Sequence, residues 1–542
     1  MKTILKISAI FASAALIATG CIKETFPTYE VTSEQISASS EALSAMVGAM
    51  PAQMTQWYLV YGEQNWEFDM AYPGLMIALD TVTGEIVSNG DTGYDWYSYW
   101  SSNAYTLGPT TARAYCPWRT FYMFIKSAND VISSVDVENA TEDQLICLGQ
   151  AKAYRALNYL EMAQIYEFKA PTDPAVASSY APEGNITGMT VPIVSDQTTQ
   201  DEAKANPRAS KEEIGTFILA DLDDAEKYLE GYTPSSTLLP GIAVVYGLKA
   251  RYYMAYGDYA KAASYATKAI EAKGGSPLTQ TQWEDPTTGF NNASANSNSW
   301  MWHVAYSAES MGNLCVFVNH MSPECTWSSY AWAVARGINK SVYNQIPDTD
   351  WRKHSWIDPD GQKYYNYKTN RDVFGDAKKL PAYSSLKFRP GSGDCATYKV
   401  GGATDVPIMR LEEMYFIKAE ALALAGDLAG GKAVLTEIMQ TRNPEYDCSA
   451  CATAKAFQNE VYFQKRVEFW GEGIIFFDAK RIGAGINNGY KGTNVQAGYR
   501  YNVTGVAPQW NWCIPQSEIE GNPVLQGYNN PEPAKSLTEW TE

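Results

Sequence analysis

Cys448 and Cys451 form a C-x-x-C in the polar stretch 446–453, a spacing at which two sulfurs can share a metal ion or exchange a disulfide. No second such pair and no nearby His completes a zinc set, so a loop disulfide or two free thiols is the plainer expectation. Cys315 and Cys325 are a further pair that could close a loop. The three histidines, His303, His320 and His354, show no metal-ligand spacing and read as hydrogen-bonded structural or surface residues. The chain carries no H-E-x-x-H, no G-x-S-x-G and no phosphate-cradling Gly loop. Its 60 Asp and Glu could in principle hydrolyse a glycoside. Adjacent pairs such as Glu412 and Glu413, however, point about 100° apart on a helix. The expectation is therefore a protein that is not an enzyme, with no cofactor and no metal.

Aromatic residues offer a different chemistry. The chain holds 37 Tyr and 16 Trp, and positions 91–100 alone carry Tyr94, Trp96, Tyr97, Tyr99 and Trp100. A pyranose ring presents an apolar face of C–H groups that stacks on an indole or phenol, while neighbouring amides and carboxylates bond its hydroxyls. Trp96 and Trp100, with Asn103 beside them and Asp80 upstream as an acceptor, form the expected sugar platform. Seven Trp fall between 274 and 404. Of these Trp327 and Trp332, together with Tyr330, are the expected second set of sugar contacts. Core packing is the competing reading for each Trp. The net charge of -18 would repel a phosphate backbone, so nucleic acid is not an expected partner.

These residues need a scaffold and an address. Lys2 and Lys6 precede an apolar run over 7–18, too short for the roughly 20 residues of a membrane helix and suited to a signal peptide. Ala18, Thr19, Gly20 and Cys21 resemble a bacterial lipobox, which makes Cys21 the expected acylated, palmitate-bearing N-terminus, with 21–40 as a tether. Helical faces follow at steps of three and four: Gly149, Ala153, Ala156, Leu160, Ala163; then Ile214, Ile218, Leu222, Ala225, Leu229; then Ala243, Gly247, Ala250, Met254. Small residues on those faces suit close helix packing. Gly257-Asp258 and Gly426-Asp427 each end one helix and cap the next, as in a tetratricopeptide hairpin, although no 34-residue period is present. From 274 to 404 the pattern gives way to loops rich in Asn, Ser, Gly and Pro. The expected fold is mainly α, with tetratricopeptide-like helix pairs over 41–273 and 405–485, a loop-rich aromatic insert between them, and an irregular tail to 542.

Eight segments in order resemble the SusD/RagB family of outer-membrane glycan-binding lipoproteins of Bacteroidetes. They are CPWRTFYMFIKSANDVI (116–132), LGQAKAYRALNYLEMAQIYE (148–167), VPIV (191–194), PRASKEEIGTFILADLDDAEKYL (207–229) and VYGLKARYYMAYGDYAKAASYATKAI (245–270). DVPIMRLEEMYFIKAEALALAGD (405–427), QKRVEFWGEGIIFFDAKR (464–481) and IPQSEIEGNPVLQG (514–527) complete the set. The resemblance implies a lipid-anchored surface protein that captures oligosaccharides and passes them to a SusC-like TonB-dependent transporter, over which it sits as a lid. A tetratricopeptide-like scaffold or adhesin for protein partners is the alternative. Within these motifs Arg155, Arg410, Arg466, Arg481, Glu420, Glu468 and Asp478 have the spacing of ion pairs between helices, and Glu472 sits in a tight Gly-flanked bend.

Overall fold

Apolar spacing at three and four residues dictates helices, and helices dominate the computed structural model, which describes residues 39–56, 60, 68, 70–88, 96–101, 106–309, 311, 316–359 and 380–533. The first half runs α1 (Ser40–Gln53), α2 (Tyr72–Val82), β1 (Ile86–Ser88), α3 (Ala112–Ser133), α4 (Glu142–Tyr166), α5 (Lys211–Tyr228), α6 (Ile242–Tyr256) and α7 (Tyr259–Lys273). The middle segment adds β2 (Trp300–Ala305), α8 (Phe317–Met321), α9 (Ser329–Ala333) and β3 (Arg336–Ile338). The chain then returns to regular structure with β4 (Asp405–Arg410), α10 (Leu411–Leu424), α11 (Leu428–Gln440), α12 (Ala454–Glu468) and α13 (Ile475–Ile482).

The helix starts are written locally. Thr141 and Gln144 close a reciprocal capping box on α4, as Ser210 and Glu213 do on α5. The two hairpins form as expected: α6 ends on left-handed Gly257 and Asp258 caps α7 through the Lys261 amide, while Asp427 caps α11 through the Gly430 amide. Extensive contacts join α3 to α4, α4 to α5, α6 to α7, α7 to α10 and α10 to α11, giving successive helix pairs. Small residues permit the approach. A Cβ on Gly149 would come within 2.9 Å of Leu229, and one on Gly247 within 2.3 Å of the Met409 sulfur. Ile214, Ile218, Leu222, Ala225 and Leu229 are fully buried, so the periodic face is the core face.

The middle segment is tied into this scaffold. Its β2 pairs antiparallel with β4, and its β3 pairs antiparallel with β1 (Ile86 opposite Ile338). Its tryptophans are mostly structural: Trp283, Trp300, Trp302, Trp351 and Trp356 are buried. The expected bend at 471–473 is present, with Gly471 and Gly473 both at positive φ. Cys325, Cys448 and Cys451 are free thiols, and Cys315 lies outside the described residues. Among the described residues no helix is long and apolar enough to cross a membrane.

Candidate functional site

Strand β1 precedes the early aromatic cluster, and β3 directly follows α9 of the middle segment, so their pairing joins the two regions. The short 3-10 helix Tyr97–Ser101 packs inward. The rings of Trp96 and Tyr97 lie 5.8 and 5.4 Å from His320 of α8, and the Arg336 guanidinium of β3 sits 5.1 Å over Tyr97. Trp100 is 1% exposed and packs 4.7 Å from Trp512 and 6.4 Å from Phe68. The expected platform of Trp96 and Trp100 on an open loop is thus corrected: both indoles are buried. For Trp100 the physical reason is the three-residue repeat of a 3-10 helix, which stacks Tyr97 above Trp100 on one inward face, whereas Trp96, just before that helix, packs against His320. Asn103 lies outside the described residues.

Asp80 is corrected as well. Its carboxylate is fully buried, and Oδ2 accepts from the amides of Gly471 and Gly473 at 2.7 and 3.2 Å. It holds the bend between α12 and α13 and cannot meet a sugar hydroxyl. Burial pushes its carboxyl up to about 8, with the nearby Glu85 adding to the rise.

Exposed aromatics remain on the same unit. Tyr99, which the sequence reading left out of its site, is 42% exposed, because the 3-10 repeat that buries its neighbours turns it outward. Arg113 covers its ring at 4.9 Å. Trp332, on α9 just before β3, is 36% exposed. Trp327 is half-buried against the short helix Tyr398–Gly401, where a Cβ on Gly401 would come within 2.6 Å of the indole. Its backbone is fixed next door by Thr326, whose amide and hydroxyl both donate to the Cys395 carbonyl. The side chain of Tyr330 lies outside the described residues. Trp332 and Trp327 of the expected set therefore reach the surface wholly or in part, with Tyr99 added.

A buried ionic cluster seats the middle segment on the helices. Glu468 of α12 meets Arg352, Arg410 and Arg442 at 3.2, 3.4 and 3.0 Å. Arg352 also pairs with Asp350, Arg442 with Glu412, and both Arg410 and Lys387 with Glu472. Four cations face four carboxylates, so the cluster is neutral despite its burial. Burial pushes the Glu468 carboxyl up, but Arg442, Arg410 and Arg352 outweigh it and hold the group well below the usual carboxylate range. For Lys387 burial dominates and brings the amine down to about 8. The remaining motif charges also pair between elements: Arg155 with Asp221, Arg466 with Glu85, and Arg481 with Glu420 and Asp478. Glu472 is accordingly both a bend residue and an ion-pair partner. No group of three or more His, Cys, Asp or Glu side chains is arranged to hold a metal among the described residues.

Residues 274–532, spanning the insert, the ionic cluster and the tail, match the family model described as the SusD family. Over that span the chain is of the SusD family. A SusD-like protein, P38, from Formosa agariphila is 20% identical over 406 residues, covering 69% of this chain and 73% of its own. In fold, a SusD-like carbohydrate binding protein from Bacteroides vulgatus superposes with a TM-score of 0.68 at 19% identity, covering 90% of this chain and 97% of that one. A SusD superfamily protein from Bacteroides thetaiotaomicron gives 0.66 at 18% identity, covering 91% and 100%.

Proposed function

We propose that this SusD-family protein binds glycans at the cell surface and delivers oligosaccharides to a SusC-like TonB-dependent transporter of the outer membrane, where it is held by a lipid on Cys21. The observation that carries the reading is the exposed Trp332 on α9, with Tyr99 exposed on the 3-10 helix 97–101. A partly exposed indole is costly to leave in water and offers surface for the C–H face of a sugar. The similarity to a protein described as carbohydrate binding supports this choice, and the association of the SusD family with the outer membrane supports the location. Binding without turnover is the expected behaviour.

The test is calorimetric titration of a panel of oligosaccharides into the wild type and into Trp332→Ala and Tyr99→Ala. Contacts of about 0.5–1.5 kcal/mol per aromatic give a shallow site with a dissociation constant of about 0.1–1 mM. Loss of either aromatic should make binding undetectable while the melting temperature stays constant. Retained binding in both variants would remove these residues from the site. Shortened oligosaccharides after prolonged incubation would replace the reading with a hydrolase.

A further inference from the structure

Away from the aromatic unit, the inner faces of α4, α6, α10, α12 and α13 enclose a cavity. The space open to the centres of water-sized atoms is about 60 Å³, room for about four to six waters and far less than a sugar ring requires. It opens outward past Gln164, Ala255 and Phe477, which are partly exposed. Leu160, Met254, Ile417 and Phe477 give it apolar walls.

Its charges are unevenly matched. Arg251 pairs with Glu413 at 2.6 Å, Lys465 pairs with Asp478 at 2.7 Å, and Arg481 pairs with both Asp478 and Glu420 at 2.6 Å. Every cation on the walls already has a carboxylate. Glu161 of α4 has no ion pair among the described residues, although only 4% of it is exposed. One carboxylate oxygen accepts from the Tyr72 hydroxyl at 2.7 Å, and the other has no donor among the described residues. Of the lining charges, Glu161, Glu413 and Asp478 face Arg251, Lys465 and Arg481, and because Glu420 behind the wall also draws on Lys465 and Arg481, Glu161 is the carboxylate left without an ion pair. Burial without a cation pushes the Glu161 carboxyl up to about 7, against the opposing pull of Tyr72 and Arg251.

We propose that this cavity is a binding site for a primary alkylammonium group, with the nitrogen donating to Glu161 and a stem of about four carbons lying between Leu160, Met254, Ile417 and Phe477. Size selects the stem, because a four-carbon amine has five heavy atoms and the cavity admits about that many. Charge selects the head: an anion would meet the unpaired carboxylate, and a neutral alcohol would leave it uncompensated. The same chemistry is carried by a free amine and by a lysine side chain.

The full chain is titrated at pH 8 with n-butylammonium, n-butanol, butyrate and Nα-acetyl-lysine methylamide, following heat and the methyl resonance of Met254 by NMR. Butylammonium should bind in the millimolar range, at least tenfold more tightly than butanol, with no binding of butyrate. Binding of the lysine derivative as well assigns the site to protein side chains; binding of butylammonium alone assigns it to free amines. Glu161→Gln should weaken butylammonium at least tenfold. A second measurement needs no variant. Of the charged groups around the cavity, Arg251 is paired with Glu413, and Lys465 and Arg481 with Asp478 and Glu420, while Tyr72 donates to Glu161; burial pushes the Glu161 carboxyl up to about 7. Wild-type affinity should rise about tenfold from pH 6 to pH 8 as Glu161 loses its proton. Butanol binding as tightly as butylammonium, affinity independent of pH, or a Met254 signal unmoved by 50 mM butylammonium would overturn the proposal.

Discussion

At the residue scale, two tryptophans of similar sequence context have opposite physical roles. Trp100 is buried against Trp512 and Phe68. Its truncation to Ala should cost about 3–5 kcal/mol and lower the melting temperature by many degrees. Trp332→Ala, on the surface, should stay within about 0.5 kcal/mol of wild type. Thermal melts of both variants check the contrast, and equal melting temperatures would mean that Trp100 does not pack as described. Asp80 makes a second, pH-dependent prediction. Its folded-state value near 8 lies above the ordinary 3.8, so between those limits the native state binds a proton that the unfolded chain has released. Stability from this group is present below about pH 4 and lost as pH rises to about 8, with a slope of up to about 1.4 kcal/mol per unit. In urea titrations from pH 5 to 8.5, Asp80→Asn should flatten the fall seen in the wild type; parallel curves would assign the slope elsewhere.

At the scale of elements, the ionic cluster around Glu468 joins β4, the end of α11, α12 and the insert. Removing one member of a buried pair strands its partners without solvent, at about 3–5 kcal/mol. Glu468→Ala leaves Arg352, Arg410 and Arg442 short of one anion and should destabilise by at least that much in chemical denaturation. An exposed control, Asp130→Ala, breaks the Lys126 pair on α3, whose side chains are 73% and 50% exposed, and should change stability by less than about 1 kcal/mol. Similar losses in the two variants would show the cluster to be solvated. The sequence made Arg410 and Glu468 visible as pairing charges, though not their partners Arg352, Arg442 and Lys387, and it made the helix hairpins visible through Gly257-Asp258 and Gly426-Asp427, because both signals are local. It could not separate Trp100 from Trp332. Exposure of a loop aromatic depends on which distant element covers it, and Trp100 is covered by Trp512, more than four hundred residues away. Asp80 was misplaced for the same reason, since its partners Gly471 and Gly473 are equally remote. Tyr99 is exposed because the 3-10 helix 97–101 turns it away from the face that carries Tyr97 and Trp100, and a five-residue helix leaves too short a pattern to read from sequence.

At the scale of the whole molecule, the described residues offer no membrane-crossing helix, so the proposed outer-membrane location rests on the lipobox-like Ala18, Thr19, Gly20 and Cys21, which lie outside the described residues. Each buried methylene contributes about 0.8 kcal/mol, one acyl chain holds only reversibly, and two or three together hold almost permanently. A tether that depends on a single sulfur can be cut by a single substitution. Cys21→Ser should therefore move the protein from the membrane pellet to the soluble fraction of the cell, with no change in melting temperature. The wild-type chain should release a mass consistent with acylation when its N-terminal peptide is analysed. If Cys21→Ser remains in the pellet, two explanations stay distinguishable: alkaline carbonate strips a chain held through a barrel partner and leaves one held by lipid. Wild-type protein retained after carbonate, and Cys21→Ser protein released by it, would support both the lipid anchor and a protein partner in the membrane. Release of the wild type by carbonate would sink the anchor.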